Sequence, residues 1–413
     1  MRRATILSTI AGIFVMPCLS QAQPEESREQ ARDWYENGWT YSQRIAVTVR
    51  NTTSRERPDE PVALRVADLQ EEAEDFNPHC FVVVDPAAES DHEKESGGND
   101  VPSQADDLDG DGEVDEIAFE VGLGPRESKR VFLYYEPGDA SRPLDYVPQT
   151  HAFLSPRYEG PGWESNIIAY RLYLDARNAV DVFGKVEPML SLSTFATPGH
   201  DYHQLSDAGM DVLHIGEALG AGGFALWRDG ELLKPEECGR SARIVARGPV
   251  RAIVEVAYRR WAAGVGGREA DVTARFTIWA NHRWTEQRVV VEGLRDFRAA
   301  TGLPKTELPA GRQLRPLRGK GYLGTWGAQS DLNDDLGLGV VYRTSDLAAV
   351  TEDDFNHLVL FKGIGTKPIV WWLVAAWEQE TDGITTPAGF AAMLQGLEAR
   401  LTERVEIGIE RPE

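Results

Sequence analysis

The sequence predicts a mostly β protein: a small N-terminal antiparallel β domain, then a large β sandwich with one C-terminal helix. Three observations carry that expectation. Short runs rich in β-branched and aromatic residues recur along the chain, with Gly, Pro, Asp and Ser in the gaps. A helical period is convincing only once, close to the C-terminus. The 413 residues, 42% of them hydrophobic, suffice for two cores of unequal size and exclude disordered, collagen-like and disulfide-scaffold classes.

The first residues read as an export signal. Arg2 and Arg3 precede an apolar run from Ile6 to Met16, and Ser20-Gln21-Ala22 forms a small-x-small cleavage site. That run is too short to span a membrane, so residues 1–22 are expected to leave the chain in the periplasm or outside the cell, with no membrane insertion. Residues 23–37 are polar and acidic, a mobile leader.

Strand signals at 45–50, 80–84, 116–121 and 130–135 define a small β domain over 38–142, ending in a Gly- and Pro-containing linker at 138–143. The larger domain, 150–413, shows longer strand signals at 166–174, 248–258, 272–279, 284–293, 337–342, 358–361 and 369–373. Phe390, Met393, Leu394, Leu397 and Leu401 then share one helical face behind Thr386-Pro387, a capping residue followed by proline at the first helical position. That helix should cover a sheet face. Cys80 and Cys238 remain after signal removal; in an oxidising compartment they either pair or stay two separate thiols.

Charge narrows the partners. With 43 Lys+Arg against 66 Asp+Glu, the net charge is −23, the wrong sign for a nucleic-acid binder. Any anionic ligand must meet a locally basic pocket. One acidic segment has a specific pattern. Asp107, Asp109, Asp111 and Asp115 occupy positions one, three, five and nine of a calcium loop, with Gly112 at position six. Position twelve is Ala118, leaving Glu116 as the nearest further carboxylate. A structural calcium is expected there, and no organic cofactor anywhere.

The densest chemistry lies at 200–214, where three of the chain's 8 histidines, His200, His203 and His214, surround Tyr202 in a loop rich in Gly, Asp and Ser. An imidazole beside a phenol supplies a proton acceptor and a proton donor near neutral pH. Two histidines with an Asp are also a metal set. The glycines at 216–223 allow close backbone approach to a ligand. Alternation along 166–174 puts Tyr170, Leu172 and Leu174 on one face and Arg171 and Tyr173 on the other. That second face suits a polar cleft gripping a carboxylate, with Asn166 at the start of the strand. Trp163, Trp227, Trp326 and Tyr322 offer flat surfaces for sugar rings.

Read in order, Glu164-Ser-Asn166 through Arg171, Asp181 to Lys185, Tyr202-His203, Gly209-Met-Asp211, Gly216 to Gly223, Trp227 with Gly230, and Arg247-Gly-Pro-Val-Arg251 resemble the secreted bacterial family known as domain of unknown function 4861. The segment at Gly248-Pro249 and the strands after it are similar to a galactose-mutarotase-like supersandwich, a fold shared by many polysaccharide lyases and hydrolases. The resemblance implies an oligosaccharide or polysaccharide partner and dehydratase or lyase chemistry on uronate oligosaccharides. Under that reading Arg171, with Asn166, neutralises the uronate carboxylate. Tyr202 and His203 then form the base and acid pair, in either order, with His200 and His214 as substitutes. Tyr173, Trp163 and Trp326 complete the substrate set. A non-catalytic glycan-binding protein, a glycosidase using Glu164 and Asp201, and an epimerase remain alternatives on the same fold.

Overall fold

The computed structural model describes residues 41–87, 100–263, 266–295, 297–363, 366–381 and 383–411. The export signal (1–22) and the leader (23–37) lie outside them. Strands dominate, and the sheets are antiparallel throughout.

Five strands form the first sheet, in the order Glu406–Glu410, Gln43–Arg50, Ser128–Tyr135, Phe81–Val84 and Asp100–Val101. A three-stranded sheet of Arg57–Arg65, Glu116–Leu123 and Ser103–Asp106 packs against it. Alternation along Gln43–Arg50 sends Ile45, Val47 and Val49 inward to meet Val62, Leu64, Phe119 and Leu133. The strand at 406–410 comes from the far end of the chain. Its register pairs Ala46 with Glu410 and Arg50 with Glu406. The expected span 150–413 therefore does not describe the last residues, whose short polar strand finds its backbone partners on the first sheet. Cys80 is buried in this unit and Cys238 lies beside the large core; both are free thiols.

The larger unit is a sandwich. Its eight-stranded sheet runs Gly239–Arg247, Arg251–Trp261, Ala270–Trp279, Trp284–Glu292, Ile369–Trp377, Leu336–Tyr342, Tyr322–Gly327, Arg315–Arg318. One face packs on two five-stranded sheets through Val254, Phe276, Val289, Leu338 and Trp371. The opposite face receives the helix Pro387–Thr402, capped by the Thr386 hydroxyl, which accepts the Gly389 N–H. Phe390, Leu394 and Leu397 are its buried residues, as the periodicity predicts. They lie on a floor kept flat by Gly324, Gly337 and Gly339; a Cβ at Gly339 would come within 2.6 Å of Leu394. The expected strand at 166–174 shortens to Ala169–Leu172, because the Ser165 N–H bonds to the Ile168 carbonyl and places Asn166 in the hairpin turn that follows the strand Gly160–Ser165.

The two units meet through buried polar groups. The Gln104 side-chain oxygen (Oε1) accepts the N–H of Val250 and of Arg251, and Arg251 reaches Asp106 at 2.7 Å and Glu116 at 2.8 Å. Burial pushes the Asp106 carboxyl up despite Arg251 beside it. Removing one partner from such a pair strands the other charge. Arg251→Ala is therefore expected to cost about 3 kcal/mol in urea denaturation; a loss no larger than that of an exposed ion pair contradicts this account of the interface.

Candidate active site

The site grows from one sheet of the sandwich, ordered Met210–Asp211, Val180–Gly184, Ala169–Leu172, Gly160–Ser165 and Thr150–Ser155. Its inner face is apolar, with Trp163, Tyr170, Leu172, Val180 and Val182 in the large core. Its outer face holds an aromatic cluster around Phe183 and, beside it, a polar patch, because alternation turns Arg171 and Asp181 away from that core, where they stand opposite each other in register. The segment after Gly184 folds back over this face and carries Tyr202 and His203 with it. Two glycines make the return: a Cβ at Gly209 would sit 1.9 Å from the Gly184 carbonyl oxygen, and one at Gly220 would sit 2.0 Å from that of Val180. Gly220 thus approaches the protein's own strand, where the sequence reading placed a ligand.

Arg171 is 1% exposed. Its Nε donates to Asp181 at 2.8 Å, Nη1 to the Tyr202 hydroxyl at 3.0 Å, and Nη2 to Asp211 at 3.0 Å and to the Tyr173 hydroxyl. Burial works against the guanidinium charge, but Asp181 and Asp211 outweigh it and push the Arg171 pKa up. Burial, then Asp181, raise Asp211 well above the ordinary carboxylate range against the pull of Arg171. Burial likewise keeps Tyr173 a neutral phenol; its ring is sandwiched by Arg171 at 4.3 Å and Arg177 at 3.7 Å. The sequence reading gave Arg171 the task of gripping a substrate carboxylate. The structure gives that guanidinium two internal carboxylates instead.

Tyr202 and His203 are brought together at this cluster, their ring centres 4.4 Å apart. His203 is 58% exposed, with Nδ1 3.3 Å from Asp201 and Nε2 4.0 Å from Asp211. His200 turns elsewhere, against Phe195 at 5.7 Å. His214 lines a neighbouring cavity of about 390 Å³ with Glu217, Lys305, Ser330, Asp331 and Phe355. Asp331 joins cavity and cluster: burial raises its carboxyl, His214 and His203 draw it down, and Asp181 pushes it up.

Three expected substrate contacts are placed otherwise. Asn166 exchanges hydrogen bonds with Asn281, accepting its N–H at 2.8 Å and donating to its side chain at 3.0 Å. Trp163 is fully buried, its indole donating to Thr285 and its ring 4.4 Å from Phe276. Trp326 is core under the C-terminal helix, against Phe390, with its indole N–H on Asp335. Glu164 is buried too. Its carboxylate accepts Lys185 Nζ at 2.5 Å and the Ser191 N–H at 2.8 Å; these contacts and His151 hold its pKa down against burial. A structural ion pair is the physical role of Glu164, which removes one carboxylate of the glycosidase alternative.

Sequence reasoning missed Asp331 and Lys305, which reach the cavity from distant loops. It also gave no role to Asp181 and Asp211, although Asp181 sits conspicuously within the apolar run 179–183. In the acidic loop, ligand oxygens of Asp107, Asp109 and Asp115 lie within 4.8 Å of one another, without Asp111. Asp107 accepts the N–H of Gly110 and Gly112, which hold its pKa down. Glu116, the expected further ligand, turns to Arg251.

Fold and site together define a two-unit, mostly β protein with a polar cleft beside a buried arginine–carboxylate cluster. The chain belongs to the family described as Domain of unknown function (DUF4861), whose model matches residues 49–407. A curated relative from Formosa agariphila, called uncharacterized protein P7, is 21% identical over 405 residues, covering 89% of this chain and 94% of its own. Among solved structures, an alpha-mannosidase from Enterococcus faecalis V583 aligns over 92% of this chain and 46% of its own, with a TM-score of 0.48 and 10% identity. A glycosyl hydrolase family 38 protein from Enterococcus faecalis aligns over 92% and 48%, with a TM-score of 0.46 and 10% identity. The chain spans about half the length of these two proteins.

A raised Asp211 makes stability depend on pH. The contribution of its neutral form is complete below the ordinary carboxylate value of about 4 and is lost as pH climbs through the folded value. Arg171→Met removes the guanidinium that opposes that rise, so the variant is expected to lose about 3 kcal/mol near pH 7 and much less near pH ~4.5. Thermal melts across that range check it; a pH-independent loss contradicts the clamp.

Proposed function

We propose that this chain is an exported carbohydrate-active enzyme that performs β-elimination on a uronate residue of an oligosaccharide, releasing water or a sugar. One observation carries the reading: the Tyr202 hydroxyl accepts a guanidinium N–H of Arg171 at 3.0 Å, beside the ring of His203. The Tyr202 hydroxyl first passes its proton to His203, and the resulting phenolate oxygen takes the proton from C5 of the uronate. The guanidinium already aimed at that oxygen stabilises the charge carried there. The C5–H electron pair forms the C4=C5 double bond as the C4–O bond breaks, and His203, flanked by Asp201 and Asp211, delivers the proton to the departing oxygen. Arg171 is a positioning residue in this scheme. Neutralising the uronate carboxylate falls to Lys305 and His214, which both line the cavity. Lys305 holds the Asp353 carbonyl at 2.7 Å and pairs with Glu352 at 3.4 Å, leaving one of its three donors for a ligand oxygen.

The burial of Trp163 and Trp326 removes both rings as stacking platforms in the cleft. Elimination is read as absorbance growing near ~235 nm on uronate oligosaccharides from ulvan, pectin or alginate when general acid/base chemistry operates. Tyr202→Phe is expected to lower the rate at least ~100-fold while the melting temperature falls by only a few degrees, as one guanidinium N–H loses its acceptor. Full activity in that variant, or binding without any absorbance change across the three substrates, sinks the reading.

A structural calcium in the acidic loop belongs to the same proposal. Asp107, Asp109 and Asp115 would hold it, and it would tie the loop to the strand that follows. Added calcium is expected to raise the melting temperature by roughly 5 °C and chelator to reverse the gain. Asp109→Asn should abolish the shift; an equal shift in that variant rules the loop out.

A further inference from the structure

A second feature with ligand chemistry lies away from the cleft, on the other five-stranded sheet. That sheet runs Glu231–Leu233, Ala225–Arg228, Arg298–Pro304, Asn356–Lys362, Leu347–Glu352. Trp227 stands opposite Leu232 on one neighbour and Arg298 on the other, and Arg298 stands opposite Lys362. Directly opposed residues share a face, with Cβ atoms about 5 Å apart. Leu232, Trp227, Arg298 and Lys362 therefore form one row across four strands. Ala299 and Leu303 point into the large core, so the row is on the outer face. Arg228, Arg295 and Phe297 flank it around an open hollow of about 530 Å³. Arg228 donates to the Ala263 carbonyl and lies 3.8 Å from Asp229; Arg295 and Arg298 are exposed, and Lys362, exposed at the end of the row outside the hollow, donates to the Ser345 carbonyl at 3.0 Å.

In a chain of net charge −23, cations gathered around an indole are a local reversal of sign. We propose that this row is a secondary binding site for an anionic polysaccharide, with a sugar ring against Trp227 and its acidic groups on Arg298, Arg295 and Lys362. An aromatic face suits the apolar face of a pyranose, and guanidinium groups pair with carboxylate or sulfate oxygens. Its position fits a long ligand. The strand Arg298–Pro304 runs from this row to the cleft, where Pro304 and Lys305 line the cavity; six steps along a strand cover about 20 Å. One polymer chain can thus be held by the row while a distant residue of it enters the cleft. The site requires no particular chemistry in the cleft, and its test reads binding rather than turnover.

The test is affinity electrophoresis of the signal-free full chain carrying Tyr202→Phe, which stops turnover. Gels contain alginate (uronate), dextran sulfate (sulfate ester) or neutral dextran. Retardation by alginate alone assigns carboxylates, by dextran sulfate alone assigns sulfate esters, and by both assigns either anion. In each case Trp227→Ala and Arg298→Glu should weaken retention about tenfold. Arg298→Glu, on the surface, controls for misfolding of the half-buried indole. Turnover of short oligosaccharides by these variants in the Tyr202 background should match that of the parent. Four results overturn the site: retention unchanged in both variants, equal retardation by neutral dextran, no retardation by either anionic polymer, or stronger retention by single-stranded DNA. Loss of retention in Lys305→Ala with none in Trp227→Ala would place the polymer in the cleft alone and also overturn it. Failure of the absorbance assay leaves these outcomes untouched.

Discussion

A guanidinium buried to 1% exposure has to be neutralised where it sits, and much of the candidate site follows from how Arg171 meets that demand. Two carboxylates and two phenols surround it. With both carboxylates charged, the cluster would carry an excess negative charge out of water, so Asp211 is driven toward its neutral form. The same contacts set the positions of the outer groups. Tyr202 is fixed by its oxygen, and His203 rides above Asp211 with its ring open to solvent. A buried charge network acts here as a mould for the exposed acid/base pair.

The eight-stranded sheet explains why that mould stands where it does. Both of its faces are covered, one by the sheets that carry the site and the other by the C-terminal helix and the first unit. The first unit is no loose appendage. Arg251 and Gln104 tie it to the large sheet, Arg243 and Arg275 both donate to the Leu108 carbonyl in the acidic loop, and the last strand of the chain completes its outer sheet. An ion in that loop would therefore bear on the contact between units, while the cleft lies on a different sheet.

Local patterns were legible where one element explains itself. The helix at 387–402 carries its cap, its proline and its apolar face in sequence, and the structure has all three. The alternation placing Arg171 opposite in sense to Tyr170 and Leu172 also held, since strand pleating alone dictates it. Reading roles from residue type went less far. Trp163 and Trp326 look alike as sugar platforms, yet each is sealed in a core, because indole burial is settled by what packs against it. Asn166 faces Asn281, a partner 115 positions away. Lys305 and Asp331 reach the cavity from loops with no local mark of function.

By itself the sequence determined the β architecture, the helix, the family and the presence of a histidine–tyrosine loop, since these depend on spacing within a few residues. Tertiary structure alone decided which charges cancel. Arg171 looked ready for a substrate carboxylate until Asp181 and Asp211 arrived from other strands, and Glu164 looked reactive until Lys185 closed over it. Electrostatic energy depends on distance in space and on burial, and neither is written in the order of residues along the chain.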